Sequence, residues 1–463
     1  MIKFNAVIIG LFSSFMANSP VFSNEPVQPE SGDQISHKTT VNSNSFMLSA
    51  ANPLAAKAGH EVLSRGGTAM DAAVAVQFVL NLVEPQSSGI GGGAFLLYWE
   101  QASQQLYTLD GRETAPASAR PDQFLEADGT PQKWWKRITG GLSVGVPGTL
   151  RLLETAHKKF GNQTWSGLLQ PAVELAENGF LVSPRMAHSI EKSADRGLKN
   201  FTPTRDYFFD DNGEPLVADH LLLNKEFAKT LRKIQISGAT EFYAGSIGEA
   251  LVNTVNNASA NPASMTMQDL ANYQVKFRPA VCGSYRGYQI CGMGPPTSGG
   301  LTVAQILGML DHHEISGTDF NAENVHLIVE AQKLAYADRA KYIADSDFVP
   351  VPAYGLLSSD YLAKRASLIN RQSAMQKAEA GEPDWLMSAD SYASIYHREL
   401  TGTSHFSIVD QYGNAVSMTT TIESGFGSRL MSGGFLLNNE LTDFSALPEK
   451  DGVPVANRIE PGK

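Results

Sequence analysis

Residues 401–423, TGTSHFSIVDQYGNAVSMTTTIE, constrain the fold more than any other stretch of the chain. Asp410-Gln411-Tyr412-Gly413 fits a type I turn with Gly413 in the left-handed position, the usual three-residue hairpin loop. That register predicts Asp410 opposite Asn414, Val409 opposite Ala415, Ser407 opposite Ser417, His405 opposite Thr419 and Thr403 opposite Thr421. Side chains alternate across a strand, so Phe406, Ile408, Val416, Met418 and Ile422 share one face. The other face carries hydroxyls and a histidine. The first face is a core layer, and the second needs a reason to be polar.

The flanking sequence supplies candidate layers. FMLSA (46–50) reads as a strand, and Asn52-Pro53 as an N-cap and first-turn proline of a helix running to about Arg65. Gly66-Gly67 ends that helix, and Thr68 caps a second, AMDAAVAVQFVLNLV. The run GIGGG leads into a strand AFLLYW, with LYTLD as its partner. Residues 148–275 read as helical with polar loops. GPPTSGG opens another helix, and AENVHLIVEAQKLAYADRAKYIA is a long helix with apolar residues at three and four spacing. Residues 374–402, broken by Gly381 and Pro383, read as an exposed loop. Strands at both ends with helices between them predict a layered α/β or α+β domain without repeats.

The 463 residues are 42% hydrophobic and carry a formal net charge of −11, which argues against nucleic acid or an anionic membrane as partner. No stretch of the mature region is apolar for long enough to span a bilayer. At the N-terminus, Lys3 precedes the apolar run FNAVIIGLFSSFMA. Val21 and Ser23 stand three and one residues before Asn24, so residues 1–23 read as a signal peptide and the mature chain as periplasmic or secreted, without a stable membrane anchor. The two cysteines lie in VCGSYRGYQICGM. With Arg286-Gly287 as the turn, Cys282 and Cys291 form a non-hydrogen-bonded pair with Cα atoms about 4.5 Å apart. The opposed register favours a structural disulfide over two free thiols.

Three motifs suggest chemistry that their contexts oppose. GIGGGA at Gly89 fits a loose dinucleotide fingerprint, but a helix precedes it and a strand follows, the reverse of what phosphate binding requires. GLSVG places Ser143 in a nucleophile-elbow pattern, yet Pro147 keeps Val146 out of helical geometry where the elbow needs a helix. His312-His313 belongs to no ligand spacing, so neither metal nor cofactor is expected.

A strand that begins with threonine after a polar, cleavable-looking loop has a sharper reading. A threonine hydroxyl needs a base, and a free α-amino group on the same residue, with a pKa of roughly 7.7–8.0, provides one. His405 lies about 6.5–7 Å further along the same face. It is too far to be that base and reads as a packing or supporting residue.

The segments GIGGGAFLLYW, LDGRETAP, SVGVPGT, GPPTSGG, TSHFSIVDQYGNAVSMTTTIE and GSRLMSGGFLLNNELTDFS, in this order along the mature chain, resemble the γ-glutamyltranspeptidase family. The resemblance implies the α+β fold of N-terminal-nucleophile hydrolases, a four-layer αββα sandwich. It implies self-cleavage between Gly402 and Thr403 into a large subunit (24–402) and a small subunit (403–463). Thr403 is then the nucleophile in processing and catalysis, and Thr421 the threonine that orients it. Arg112 matches the arginine for the donor α-carboxylate, where a bidentate fork suits the geometry. Glu423, Glu440 and Asp443 match positions that hold the α-amino group; some members have amides at the first two. Glutathione and other γ-glutamyl compounds are the implied donors, with water, amino acids or dipeptides as acceptors.

The chain ends at NRIEPGK, where family members continue into a serine pair and a Gly-Gly oxyanion hole, so the resemblance implies a small subunit incomplete at its C-terminus. FSALPEKDGVPVANRIEPGK after Asp443 is compact, like members without a long lid. Two alternatives stand beside this expectation: a glutaryl-cephalosporin acylase of the same fold, and an inactive truncated remnant.

Overall fold

The computed structural model describes residues 40–315, 321–384, 392–395 and 402–463. The signal-peptide reading and residues 385–391 and 396–401 of the expected loop therefore lie outside the described residues. Strand β1 (Met47–Ser49) leads into helix α1 (Pro53–Ser64), whose N-cap Asn52 accepts from Leu54 N at 3.0 Å. Helix α2 (Ala69–Val83) starts at a capping box, in which Thr68 and Asp71 satisfy each other's backbone N–H. All fifteen of its residues are buried, as expected for a helix that is apolar on every side.

Strands β2 (Gly93–Glu100) and β3 (Gln105–Gly111) follow, then helices α3 (Thr149–Phe160), α4 (Trp165–Asn178) and α5 (Lys225–Ser237). The 148–275 region is helical apart from two two-residue strands. Strand β4 (Lys276–Arg278) precedes a hairpin of β5 (Val281–Tyr285) and β6 (Tyr288–Gly292). Within it Cys282 pairs with Cys291, and the two are joined in a disulfide. Helices α6 (Gly299–Leu310) and α7 (Ala322–Tyr342) complete this half.

The opening hairpin is formed by β7 (Thr403–Val409) and β8 (Ala415–Thr421). Its register is the one the alternation predicts, with Thr421 opposite Thr403 and Thr419 opposite His405. The turn is pinned by Asp410, whose Oδ2 accepts from Ala69 N at 2.8 Å, at the positive end of α2. The strands enter an antiparallel sheet of order β1-β7-β8-β2-β3-β4, so residues 403–421 are interleaved with strands from the N-terminal part of the chain.

Phe406, Ile408, Val416 and Met418 are at most 2% exposed against α2 and its neighbours, each contributing about 1.5–3 kcal/mol of transfer free energy. The opposite face of the sheet forms the floor of a cavity. Across that cavity lie the start of α6 and the end of α7, with the β5–β6 hairpin packed on α6.

Residues 374–384 are for the most part exposed, as expected of a loop. They have no regular structure, but Met375 N donates to Glu330 Oε2 and Gly381 N to Asp338 Oδ1, both at 2.8 Å. Two buried carboxylates of α7 thus hold a segment whose composition reads as solvent-facing.

Candidate active site

The end of the hairpin carries a chain of hydroxyls. Thr403 Oγ1 donates to Thr421 Oγ1 at 3.3 Å, and Thr421 Oγ1 donates to the Gly402 carbonyl at 2.8 Å. Glu423 N also donates to Thr421 Oγ1, at 2.8 Å, which fixes that hydroxyl's remaining lone pair. The hydroxyl of Thr403 is therefore linked through one neighbour to the carbonyl of the peptide bond that precedes it. Gly402 is clasped by the following loop: a Cβ there would lie 2.2 Å from Glu423 O and 3.0 Å from Gly425 N.

A cavity of about 610 Å³ opens over these groups, with Thr403, Thr419, Thr421, Phe95 and Asp110 along its floor. Arg112 enters from the end of β3, where Asp110 Oδ1 accepts its N–H at 2.9 Å and Tyr273 donates to its carbonyl at 2.7 Å. Its guanidinium pairs with Glu440 and Asp443 and lies 5.8 Å from the Phe95 ring centre. The acids come from the turn Glu440–Asp443, positioned by two fully buried asparagines. Asn438 Nδ2 donates to Gly91 O and Gly145 O, while its Oδ1 accepts from Gly145 N and Glu440 N. Asn439 Nδ2 donates to Glu423 Oε2 and Thr442 Oγ1, and its Oδ1 accepts from Ser424.

The buried carboxyl groups here, Glu113, Glu423 and Glu440, do not behave as surface acids. Burial raises Glu423 to about 8 and Glu113 to about 7, against the pull of Arg112. Burial also raises Glu440, with Glu113 and Asp443 adding to the effect and Arg112 opposing it. Burial works against the charge on Arg112, but Glu440 and Asp443 outweigh it and hold the guanidinium firmly protonated. Neither oxygen of Glu113 meets a hydrogen-bond donor among the described residues. Acids around one arginine, beside a paired threonine, form a site suited to a zwitterionic acyl donor.

Comparison with known proteins is decisive. The sequence model of the family described as gamma-glutamyltranspeptidase matches residues 55–463. The chain belongs to the γ-glutamyltranspeptidase family. It is 41% identical over 425 residues to the glutathione hydrolase proenzyme of Bacillus subtilis (strain 168), covering 90% of this chain and 70% of that protein. The crystal structure of Helicobacter pylori γ-glutamyltranspeptidase superposes with a TM-score of 0.70 at 36% identity, covering 74% of this chain and 97% of the other. The cephalosporin acylase of Bacillus halodurans gives 0.79 at 28% identity, covering 94% and 76%. The fold is accordingly the α+β fold of N-terminal-nucleophile hydrolases, and the chain is an enzyme of that class.

Within this γ-glutamyltranspeptidase family member, Thr403, Thr421, Arg112, Glu440 and Asp443 share the cavity wall. Glu423 does not line it. It is 7% exposed, sits behind Thr421 with its carboxylate on Asn439, and contributes its backbone N–H to the hydroxyl chain. His405 shares hydrogen bonds with Thr419 (2.8 Å) and Ser407 (3.2 Å), further along the strand face.

The glycine run at 89–93 is a seam for close packing. A Cβ on Gly91, Gly92 or Gly93 would lie within 2.1 Å of Leu436 O, Thr421 O or Glu113 Oε2 respectively. Ser143 is fully buried and donates to the carbonyls of Ile138 and Gly140, and His313 bonds the Ala366 carbonyl. Sequence reasoning missed Glu113 and the two asparagines. Glu113 directly follows Arg112, and Asn438-Asn439 directly precede Glu440, so adjacency to the chosen residues was the available signal.

Proposed function

We propose that this chain is the precursor of a γ-glutamyl transferase and glutathione hydrolase that cuts itself between Gly402 and Thr403, separating residues 24–402 from 403–463. The observation that carries the reading is the hydroxyl chain Thr403–Thr421–Gly402 O in the uncut chain. Thr403 Oγ attacks the Gly402 carbonyl carbon, its hydroxyl proton passing to the departing Thr403 nitrogen, while Thr421 donates to the oxygen on which negative charge develops. The Gly402–Thr403 C–N bond breaks, leaving an ester on Thr403 Oγ and a free α-amino group. Water hydrolyses the ester to give the Gly402 carboxylate and an N-terminal threonine.

That amino group then serves as the base. It takes the Thr403 hydroxyl proton as Oγ attacks the γ-carbonyl of a donor, and returns it to the departing amine. Cysteinylglycine leaves when glutathione is the donor. Water, an amino acid or a dipeptide then attacks the γ-glutamyl ester and regenerates Thr403. Arg112 takes the donor α-carboxylate, and Glu440 and Asp443 take the α-ammonium, with Glu423 supporting from behind. In the free site Arg112 is held by Glu440 and Asp443; a bound zwitterion gives the guanidinium a carboxylate and the two acids a shared ammonium.

A glutaryl donor has no ammonium and leaves the acids uncompensated, which favours γ-glutamyl over the acylase reading despite the likeness to cephalosporin acylase. Among the described residues no helix is long and apolar enough to cross a membrane. The leader-like residues 1–23 and the Cys282–Cys291 bridge support a periplasmic or secreted enzyme.

The test is to incubate the purified protein with glutathione, quench it and map the covalent adduct. A γ-glutamyl group on Thr403 supports the reading. Turnover of glutaryl but not γ-glutamyl substrates, or an adduct at another residue, contradicts it.

A further inference from the structure

The cavity that holds Thr403 also holds two donors that the γ-glutamyl reading leaves unused. Trp134 and Arg137 line it, at either end of a single helical turn. The Trp134 Nε1 and the Arg137 Nε are both buried, and neither has a hydrogen-bond acceptor among the described residues. The guanidinium lies 5.1 Å from the Trp134 ring centre. The other cations on the cavity wall have partners: Arg112 with Glu440 and Asp443, Lys276 with Asp347, Arg278 with Asp110, Lys463 with Glu460, and Arg339, whose Nε donates to Ser298 Oγ. Arg137 meets no carboxylate among the described residues. Burial lowers its pKa, yet a guanidinium stays charged in proteins, and a desolvated charge without a counter-ion is unfavourable until an anion joins it.

The turn that carries these side chains is held in place. Asn261 Nδ2 donates to Lys136 O at 2.7 Å and to Thr139 O at 2.9 Å. Gly140 N donates to Ser428 O at 2.9 Å, across to the segment after Thr403. The buried Ser143 hydroxyl donates to Ile138 O and Gly140 O. A guanidinium and an indole N–H carried on one braced turn are donors of the kind that a carboxylate accepts.

We propose that Trp134 and Arg137 form a carboxylate subsite for the portion of the substrate beyond the scissile γ-amide. It takes the free α-carboxylate of the leaving amino acid or peptide, and of the acceptor in the second half-reaction. This rests on the γ-glutamyl reading above and adds to it: Arg112 holds one end of the donor, and Arg137 holds the other. The enzyme then favours γ-glutamyl peptides with a free C-terminus over uncharged γ-glutamyl amides, and amino-acid or dipeptide acceptors over simple amines.

The experiment compares kcat/KM for γ-glutamylglycine with that for γ-glutamyl-p-nitroanilide, whose leaving group carries no carboxylate. Arg137→Gln is expected to lower the ratio of the two about tenfold to a hundredfold, the range of one charge-assisted hydrogen-bonding group. Arg137→Lys restores part of it, because a point charge replaces the fork. Trp134→Phe lowers the ratio less. A ratio unchanged in Arg137→Gln, with both substrates falling together or neither falling, overturns the subsite while leaving the γ-glutamyl reading intact. Failure of the parent protein to use either substrate counts against the γ-glutamyl reading itself. Calorimetric titration of glycylglycine onto the parent protein and onto Arg137→Gln reads the subsite without turnover. Binding lost in the variant supports it, and equal binding, or none to either protein, overturns it.

Discussion

Thr403 and Thr421 face each other across the hairpin with their hydroxyl oxygens 3.3 Å apart, and Thr421 passes the contact on to the Gly402 carbonyl at 2.8 Å. Thr421 therefore touches both the nucleophile and the bond it is proposed to break. Replacing it with valine keeps the shape and removes the donor. Self-cleavage should slow about 100- to 1,000-fold, the usual cost of one oxyanion donor. Thr421→Ser should retain most of the rate. Disappearance of the full-length band over time measures both.

Gly402 should tolerate no side chain. A Cβ there would stand 2.2 Å from the Glu423 carbonyl and 3.0 Å from Gly425 N, both backbone atoms that cannot swing aside. Gly402→Ala is expected to displace the carbonyl from Thr421 and to accumulate uncut chain. Cleavage at the parent rate would mean that the clasp around Gly402 is not the reacting geometry.

The buried acids should leave a mark on stability. Burial raises Glu113 from the usual 4.5 to about 7, so in that window the folded protein holds a proton that the unfolded chain releases. Stability from this group is present below the lower value and is lost as pH rises through the upper one. Glu423, raised to about 8, acts in the same direction. Glu113→Gln cannot ionise, so its melting temperature should fall less than the parent's between about pH 5 and pH 8. Parallel slopes for the two proteins would contradict the assignment.

Asp443 separates the two acyl-donor readings. Its carboxylate is 46% exposed at the cavity mouth, paired to Arg112. Asp443→Asn should raise KM for γ-glutamyl donors at least about tenfold, the size of one charge-assisted contact. The same change should leave glutaryl donors, which lack the ammonium, little altered. An equal loss on both would count against a role in holding the α-amino group.

The parts of this site that follow from local rules are legible in the sequence. Period-two alternation and the Asp410–Gly413 turn are enough to oppose Thr403 to Thr421, and the Arg286-Gly287 turn is enough to oppose the cysteines. Assembly of Arg112 with Glu440 and Asp443 is not local, since 331 residues separate Arg112 from Asp443; it became visible only through the family resemblance. Glu423 shows the limit of that route. Its motif position suggests a cavity acid, whereas the fold turns its carboxylate onto Asn439 and uses its backbone N–H instead. The 374–384 segment shows another limit, because composition does not reveal that Glu330 and Asp338 wait beneath it as acceptors.

The most direct test of the central claim is intact mass measurement with N-terminal sequencing of the purified protein and of Thr403→Ala. The account predicts a fragment beginning Thr403-Ser404-His405 in the parent and an uncut chain in the variant. A cut at another bond, or the same cut in Thr403→Ala, would contradict it.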